Sequence, residues 1–236
     1  MRGTLYLVPN LLGVVPPEDV LPARTIAVAR SLRHWVVETP KPARAFLKSV
    51  APPLPIAALG IEALPAAPDA AALAALLAPA LAGEDVGLLS DAGCPGIADP
   101  GAPLVAAAHA AGVRVVPLVG PSSLLLALMA SGLNGQSFAF HGYLPADAGG
   151  RADALKRLEA ESHALRRAQL FIETPYRNEA MLKTIGEALR PGTHVVVAAD
   201  LTLPTESIVR HTAAQWRRED TMRYAKRPAI FIVEAK

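Results

Sequence analysis

The sequence predicts an α/β protein of two αβα lobes, with a mainly parallel N-terminal sheet, a mixed C-terminal sheet and a cleft between the lobes for a cofactor or other ligand. Three observations support this prediction. The 236 residues are enough for one large domain or for two small ones. Short β-rich runs alternate with helix-compatible segments, and the last runs are close enough to form hairpins. The boundary is placed near residues 117–120, which gives domains 1–117 and 118–236.

The N-terminal lobe begins with a strand, because Thr4–Val8 is β-rich. A second strand is predicted over residues 35–38, and a turn and a helix-compatible segment follow each run. Asp69 is a suitable N-cap for an alanine-rich helix, and Gly83 lies where a C-cap glycine is expected. Val86–Leu89 is a continuous apolar run, which is typical of a buried parallel strand.

Residues 90–101, SDAGCPGIADPG, form a turn-rich segment directly after that run. Its last part, Asp99-Pro100, has a capping residue followed by a proline, so we expect the next helix to begin there. Gly112 is expected to close that helix, and residues 113–118 form the next predicted strand.

The C-terminal lobe is expected to open with a helix from Ser122-Ser123 to Gly132. The alternation then continues with predicted strands at 137–143, 169–173, 194–198 and 229–234, and helices at 151–167 and 178–189.

Composition restricts the class of protein. The mean hydropathy is +0.31, but the best membrane candidate, residues 113–133, is interrupted by Arg114, Pro117, Gly120 and Pro121. We therefore expect no membrane span, and we interpret the N-terminus as a strand rather than a signal peptide. The single cysteine excludes an intramolecular disulfide, which favours the cytoplasm. The histidines are too dispersed for a metal site, so none is predicted.

Familiar catalytic and phosphate motifs are absent: the chain has no G-x-G-x-x-G, no G-x-x-x-x-G-K-[ST] and no G-x-S-x-G. Basic residues gather at 151–167 and 217–227, interspersed with acidic ones. They form either solvated helix faces or contacts to RNA phosphates, with Trp216 and Tyr224 available either for stacking on bases or for packing.

Four strand ends carry turns rich in glycine, proline or both, at residues 8–10, 90–101, 119–123 and 173–177. Ligands of parallel sheets bind at the carboxyl ends of strands, where glycine lets the main chain approach closely. These four loops are therefore candidates for a binding site, although each alone is also compatible with an ordinary connection.

The order of these loops resembles the tetrapyrrole methylase superfamily. The resemblance rests on SDAGCPGIADPG, VVPLVGPSSLLLALMASGL, FAFHGYLP, LFIETPYRNEAML and AADLT. It is closest to the branch that methylates a cytidine ribose 2′-hydroxyl in bacterial small-subunit ribosomal RNA. This resemblance implies S-adenosylmethionine as cofactor and a homodimer. It also implies contacts to the cofactor from Pro9, Leu11, Asp91, Gly93, Cys94, Pro95, Ile97, Ser122, Ser123, Thr174, Tyr176, Ala199, Asp200, Pro228 and Ala229.

Residue type and position at a strand end give candidates for a group that accepts the proton of a weak hydroxyl nucleophile. Asp91 is preferred, and Glu38, Glu173 and His141 are alternatives. Residues 8–20 and 37–44 depart from the ribosomal branch, and residues 146–150, ADAGG, replace its basic segment. Three functions remain open: methylation of RNA, methylation of a tetrapyrrole or another small metabolite, and cofactor or RNA binding without transfer.

Overall fold

The computed structural model describes residues 1–235 and divides into two compact units. The first covers Met1–Ser122, and the second begins at Ser123. Within residues 1–235, no helix combines the length and the apolar character needed to cross a bilayer.

The first unit contains a five-stranded sheet. Its strands are β1 (Thr4–Val8), β2 (His34–Val37), β3 (Gly60–Ala63), β4 (Val86–Leu89) and β5 (Arg114–Pro117), in the order β3-β2-β4-β1-β5. All four pairings are parallel, as predicted for this lobe. Because β4 lies between β1 and β2, the loops that follow these three strands leave the sheet at the same edge.

Four helices cover the faces of this sheet: α1 (Ala23–Ser31), α2 (Pro40–Val50), α3 (Ala70–Leu81) and α4 (Ala102–Ala110). Asp69 caps α3 as predicted, since its side chain accepts a hydrogen bond from the Ala72 N–H at 2.7 Å. Two apolar clusters fill the faces, one around Trp35 and Phe46 and the other around Leu77 and Leu104.

The expected start of α4 at Asp99-Pro100 is wrong. The helix begins at Ala102, and its N-cap is Gly101, whose φ of 140° is accessible to glycine. This conformation turns the chain once more before the helix starts. Asp99 therefore stays in the loop and does not cap the helix.

The second unit contains a mixed sheet, as predicted. Its strands are β6 (Phe138–Tyr143), β7 (Ala168–Glu173), β8 (His194–Ala199), β9 (Ser207–Thr212) and β10 (Ala229–Glu234), in the order β6-β7-β10-β8-β9. Only the β6–β7 pairing is parallel. The helices are α5 (Ser123–Ser131), α6 (Ala148–Leu165), α7 (Asn178–Ala188) and α8 (Ala213–Trp216).

Aromatic packing occupies the core of the second unit. Phe171 and Phe231 stack with their ring centroids 5.3 Å apart. Trp216 and Tyr224 are 1% and 0% exposed, and the Trp216 indole N–H donates to the Val195 carbonyl at 3.1 Å. These two rings are therefore packing residues, and the alternative of stacking on RNA bases is wrong.

Candidate functional site

The carboxyl edge of the first sheet brings together the loops that follow β1, β2 and β4. Asn10, two residues after the end of β1, is 5% exposed and joins two of them. Its main-chain N–H donates to the Gly93 carbonyl at 2.8 Å. Its side-chain amide donates to the carbonyls of Ser90 and Asp91 at 2.9 and 3.0 Å. A buried amide that makes these bonds fixes the position of the glycine-rich loop.

Asp91, the preferred catalytic residue, connects the β4 loop to the β2 loop. Its main-chain N–H donates to Glu38 Oε2 at 3.0 Å. In return, Asp91 Oδ1 accepts a hydrogen bond from the Thr39 N–H at 3.1 Å. The structure thus brings two of the candidate carboxylates, Asp91 and Glu38, to one place, and Asp91 has a positioning role there.

Gly93 is the buried centre of the loop, and its φ is 68°, in the left-handed region that favours glycine. Its neighbour Cys94 directs its thiol at the Pro121 carbonyl, with a sulfur–oxygen distance of 3.5 Å. The residue before Pro121, Gly120, packs closely against the loop after β1, because a Cβ added to Gly120 would lie 2.4 Å from the Cβ of Pro9. The loops after β1, β4 and β5 therefore meet around Gly93.

The main chain of this loop fits a ligand with polar groups. Gly93 is buried and pairs with Asn10 in an isolated antiparallel bridge, whereas, within residues 1–235, the N–H group of the next residue, Cys94, donates to no main-chain carbonyl. A main-chain N–H without an internal partner is available to bind an acceptor atom of a ligand. Pro95 is buried and Ile97 is 53% exposed beside them.

Asp99 adds a third carboxyl to this edge. Its pKa is raised to about 6, chiefly by burial and then by the charges of Glu38 and Asp91, while the nearby Ser90 hydroxyl acts against this shift. The same burial, together with the charge of Asp99, raises the pKa of the Cys94 thiol. Within residues 1–235, no group of three His, Cys, Asp or Glu side chains has a metal-binding arrangement.

Replacing Asp99 by Asn should stabilise the first unit at neutral pH. The pKa of Asp99 is raised to about 6 in the folded protein, above its unfolded value of about 4, so ionisation opposes folding. Below about pH 4, the free energy of unfolding of the variant should equal that of the wild type. Between about pH 4 and 6 it should become the larger of the two. Above that range it should stay larger by about 1 kcal/mol, after allowance for solvent screening. Urea unfolding at pH 4 and pH 8 measures the gain, and an equal gain at both values would contradict this account.

A groove of ≈ 300 Å³ lies beside the same loops, between residues 10–15 and one face of α2. Pro42, Ala45, Phe46 and Ser49 supply the α2 face, and Asp91 is the charged residue of the lining. The groove is therefore mostly apolar with one acidic side chain.

The second unit holds its own set of candidate residues at one end of its sheet. Ala229, at the start of β10, pairs with both Glu173 and Ala199, at the ends of β7 and β8. The Asp200 N–H donates to the Pro228 carbonyl at 3.0 Å. Thr174 and the 82% exposed Tyr176 follow Glu173.

Glu173 is held by an ion pair. Its side chain is fully buried, and Arg177 approaches Glu173 Oε1 at 2.6 Å. The Thr174 N–H donates to the same oxygen at 2.6 Å. This arrangement stabilises the turn after β7, so Glu173 has a structural role beside the catalytic one predicted for it.

His141 is separated from Glu173 within the second unit. Its Nε2 lies 2.5 Å from Gln169 Oε1, four residues before Glu173 on β7, which corresponds to about 13 Å of strand. Ser122 precedes α5 and Ser123 is its first residue, both partly buried. The cofactor and catalytic roles of all these residues stay predictions.

Several residues of these sites were missed by the sequence interpretation. These residues are Asn10, Thr39 and Asp99 in the first unit, and Arg177 and Arg227 in the second. Arg227 donates to Asp200 Oδ2 at 2.7 Å. A polar residue in the turn after the first strand was the available signal for Asn10. The others depend on contacts between distant segments.

Comparison with known proteins identifies the family of the chain. A family model described as "Tetrapyrrole (Corrin/Porphyrin) Methylases" matches residues 22–216. The chain belongs to the tetrapyrrole methylase family. The resemblance predicted from the sequence motifs is thereby confirmed.

Relatives of this tetrapyrrole methylase chain include "Ribosomal RNA small subunit methyltransferase I" of Escherichia coli O157:H7, 41% identical over 162 residues, or 67% of this chain and 55% of that protein. The protein of the same name from Pasteurella multocida is 38% identical over 157 residues, 65% of this chain and 54% of that one. The chain thus spans about half the length of the curated relatives it matches.

The fold is that of a solved family structure. The crystal structure of the methyltransferase CobJ superimposes with a TM-score of 0.64 over 98% of this chain and 94% of that one, at 21% identity. This likeness concerns the fold, and it confirms the prediction of one parallel and one mixed sheet.

Proposed function

We propose that this chain transfers a methyl group from S-adenosylmethionine to a ribose 2′-hydroxyl of small-subunit ribosomal RNA. The observation that carries the proposal is the convergence of three strand-end loops on Gly93, with the free N–H of Cys94 next to three carboxyls. The acceptor is proposed from the relatives at 38–41% identity, which are named as ribosomal RNA methyltransferases.

The main chain at Gly93 and Cys94 is the proposed contact to the cofactor. S-adenosylmethionine supplies a methyl group on a positively charged sulfur when it is bound. The loop needs little rearrangement to bind it, because Asn10 already fixes Gly93 and Asp91 through hydrogen bonds of 2.8 to 3.0 Å. A rigid loop holds reacting atoms in line, which is the main requirement of a displacement reaction.

The carboxyls of Glu38, Asp91 and Asp99 are proposed to attract the positively charged methyl donor and to accept the proton of the hydroxyl group. Their negative charge favours a cationic donor. As the bond from oxygen to methyl carbon forms and the bond from carbon to sulfur breaks, one of them accepts the hydroxyl proton. Asp91 is the first candidate, and Asp99, with a pKa of about 6, is ionised at neutral pH and is also able to accept it.

Two measurements test the proposal. Isothermal titration with S-adenosylmethionine should give one site per chain, and no heat at millimolar cofactor would remove the methyl donor from the account. Mass spectrometry of ribosomal RNA from a strain lacking the gene should show the loss of one ribose methyl group. If the ribose methylation were unchanged, the proposed acceptor would be wrong, and a small metabolite or simple binding would take its place.

The proposal includes assembly and location. A homodimer is proposed from the resemblance to the family, and light scattering of the purified protein measures it directly. An RNA acceptor implies that the protein works in the cytoplasm, where ribosomes are assembled.

A further inference from the structure

The groove beside Asp91 is bordered by a row of cations on α2. Lys41, Arg44 and Lys48 are exposed, and each directly precedes a residue of the α2 face that lines the groove: Pro42, Ala45 and Ser49. Consecutive helix residues are about 100° apart, so the row runs along the rim of the groove for about 10 Å.

These cations have no internal partner. The α2 sequence, PKPARAFLKSV, contains no acidic residue. Among residues 1–235, ion pairs involve Arg167, Arg177, Arg190, His211, Arg223 and Arg227, all in the second unit. The second unit thus uses many of its basic side chains internally, whereas the α2 row is free to bind an anion.

The volume and the lining of the groove indicate which kind of anion binds beside it. Its ≈ 300 Å³ lies at the lower end of the range for small-molecule pockets, which suits one nucleoside and is small for a ring of four pyrroles. Its lining is apolar except for Asn10, Ser49 and Asp91. Single-stranded RNA combines a row of phosphates with flat bases that leave the stack.

We propose that α2 and the groove beside it form the docking surface for a single strand of RNA. The phosphates lie along Lys41, Arg44 and Lys48, and one base enters the groove next to Asp91. The inference rests on the proposed function, because it places the acceptor strand beside the loop that holds the methyl donor.

The test is fluorescence anisotropy with a labelled single-stranded pyrimidine RNA of about 12 nucleotides, at salt concentrations between about 0.05 and 0.3 M. The triple variant Lys41→Gln/Arg44→Gln/Lys48→Gln should bind about tenfold or more weakly. Its plot of log affinity against log salt should be shallower by about 2, since each phosphate contact on a single strand contributes about 0.7. Unchanged affinity and slope would overturn the inference.

A matched control removes the same charge elsewhere in the first unit. Arg24, Arg30 and Arg33 are exposed and lie outside the groove lining. The variant Arg24→Gln/Arg30→Gln/Arg33→Gln should bind the RNA within about twofold of the wild type. A loss as large as that of the α2 variant would mean that net charge alone determines binding, which overturns the docking surface.

A groove variant tests the base, and cofactor titration separates the two proposals. Ala45→Trp fills the groove, so it should weaken RNA binding several-fold at an unchanged salt slope; full affinity would contradict base insertion. The α2 variant and the Arg24/Arg30/Arg33 control should bind S-adenosylmethionine like the wild type. If the wild type binds no cofactor, the proposed function is refuted. If the wild type binds the cofactor but the α2 variant binds RNA with full affinity, only this inference is refuted.

Discussion

Gly93→Val should abolish methyl transfer and weaken S-adenosylmethionine binding at least about 100-fold. At a φ of 68° a β-branched residue is strongly disfavoured, so the loop changes its conformation. A Cβ at this position would already lie 3.4 Å from Leu12 Cδ2 and 3.7 Å from the Pro121 carbonyl oxygen. The methyl groups of valine extend beyond this Cβ and would occupy space beside the main chain that is proposed to contact the cofactor. Isothermal titration measures the affinity, and circular dichroism verifies the fold.

Gly112→Val is the control for backbone strain. Gly112 has nearly the same φ, 64°, but it precedes β5 and so lies at the amino edge of the same sheet. A Cβ there would meet the guanidinium of Arg2, the far end of a long exposed side chain that donates to the Ala111 carbonyl. Both variants should lose similar stability, while only Gly93→Val loses the cofactor. Equal cofactor affinity for the two variants would mean that the loop around Gly93 is not the binding site.

Arg177→Met should destabilise the second unit by about 2–3 kcal/mol, because it leaves a buried carboxylate without its cation. Glu173 is 0% exposed in its side chain and Arg177 is 32% exposed, with 2.6 Å between their charged atoms. The loss is smaller than for a fully buried pair, since water reaches the arginine. Chemical denaturation monitored by tryptophan fluorescence reports the loss, because Trp216 lies in the same core.

A double-mutant cycle separates the pair from the packing of the arginine stem. Glu173→Gln removes the charge, so Glu173→Gln/Arg177→Met should recover more than half of the stability that Arg177→Met loses. If the losses of the two single variants simply added, Glu173 and Arg177 would not be coupled, and the structural role of Glu173 would be refuted.

The strands could be predicted where local chemistry decides them. Thr4–Val8 and Val86–Leu89 are apolar or β-branched over their whole length, and both are strands within the bounds expected. By contrast, β3 and β9 were missed. Both are edge strands in which exposed and partly exposed residues dominate, so their sequences lack the apolar pattern that burial imposes. The predicted start of α4 was too early because Asp99 was interpreted as the N-cap, whereas the N-cap in the structure is Gly101.

The candidate site could be located from the sequence but not assembled. Glycine-rich strand ends identified the loop around Gly93, because ligands of parallel sheets bind there. The link from Asn10 to that loop follows from the strand order, which brings β1 and β4 together and which no local pattern encodes. The raised pKa of Asp99 likewise depends on its burial and then on the charge of Glu38, which reaches the same edge from a different strand.

The most direct test of the central claim is methyl transfer by the purified protein to small ribosomal subunits from a strain that lacks its gene. With labelled S-adenosylmethionine, we expect about one methyl group per subunit. We expect nuclease digestion and mass spectrometry to place it on a ribose 2′-oxygen, and we expect no incorporation by Gly93→Val. Incorporation into a base, or no incorporation by a wild-type protein that binds the cofactor, would contradict the account.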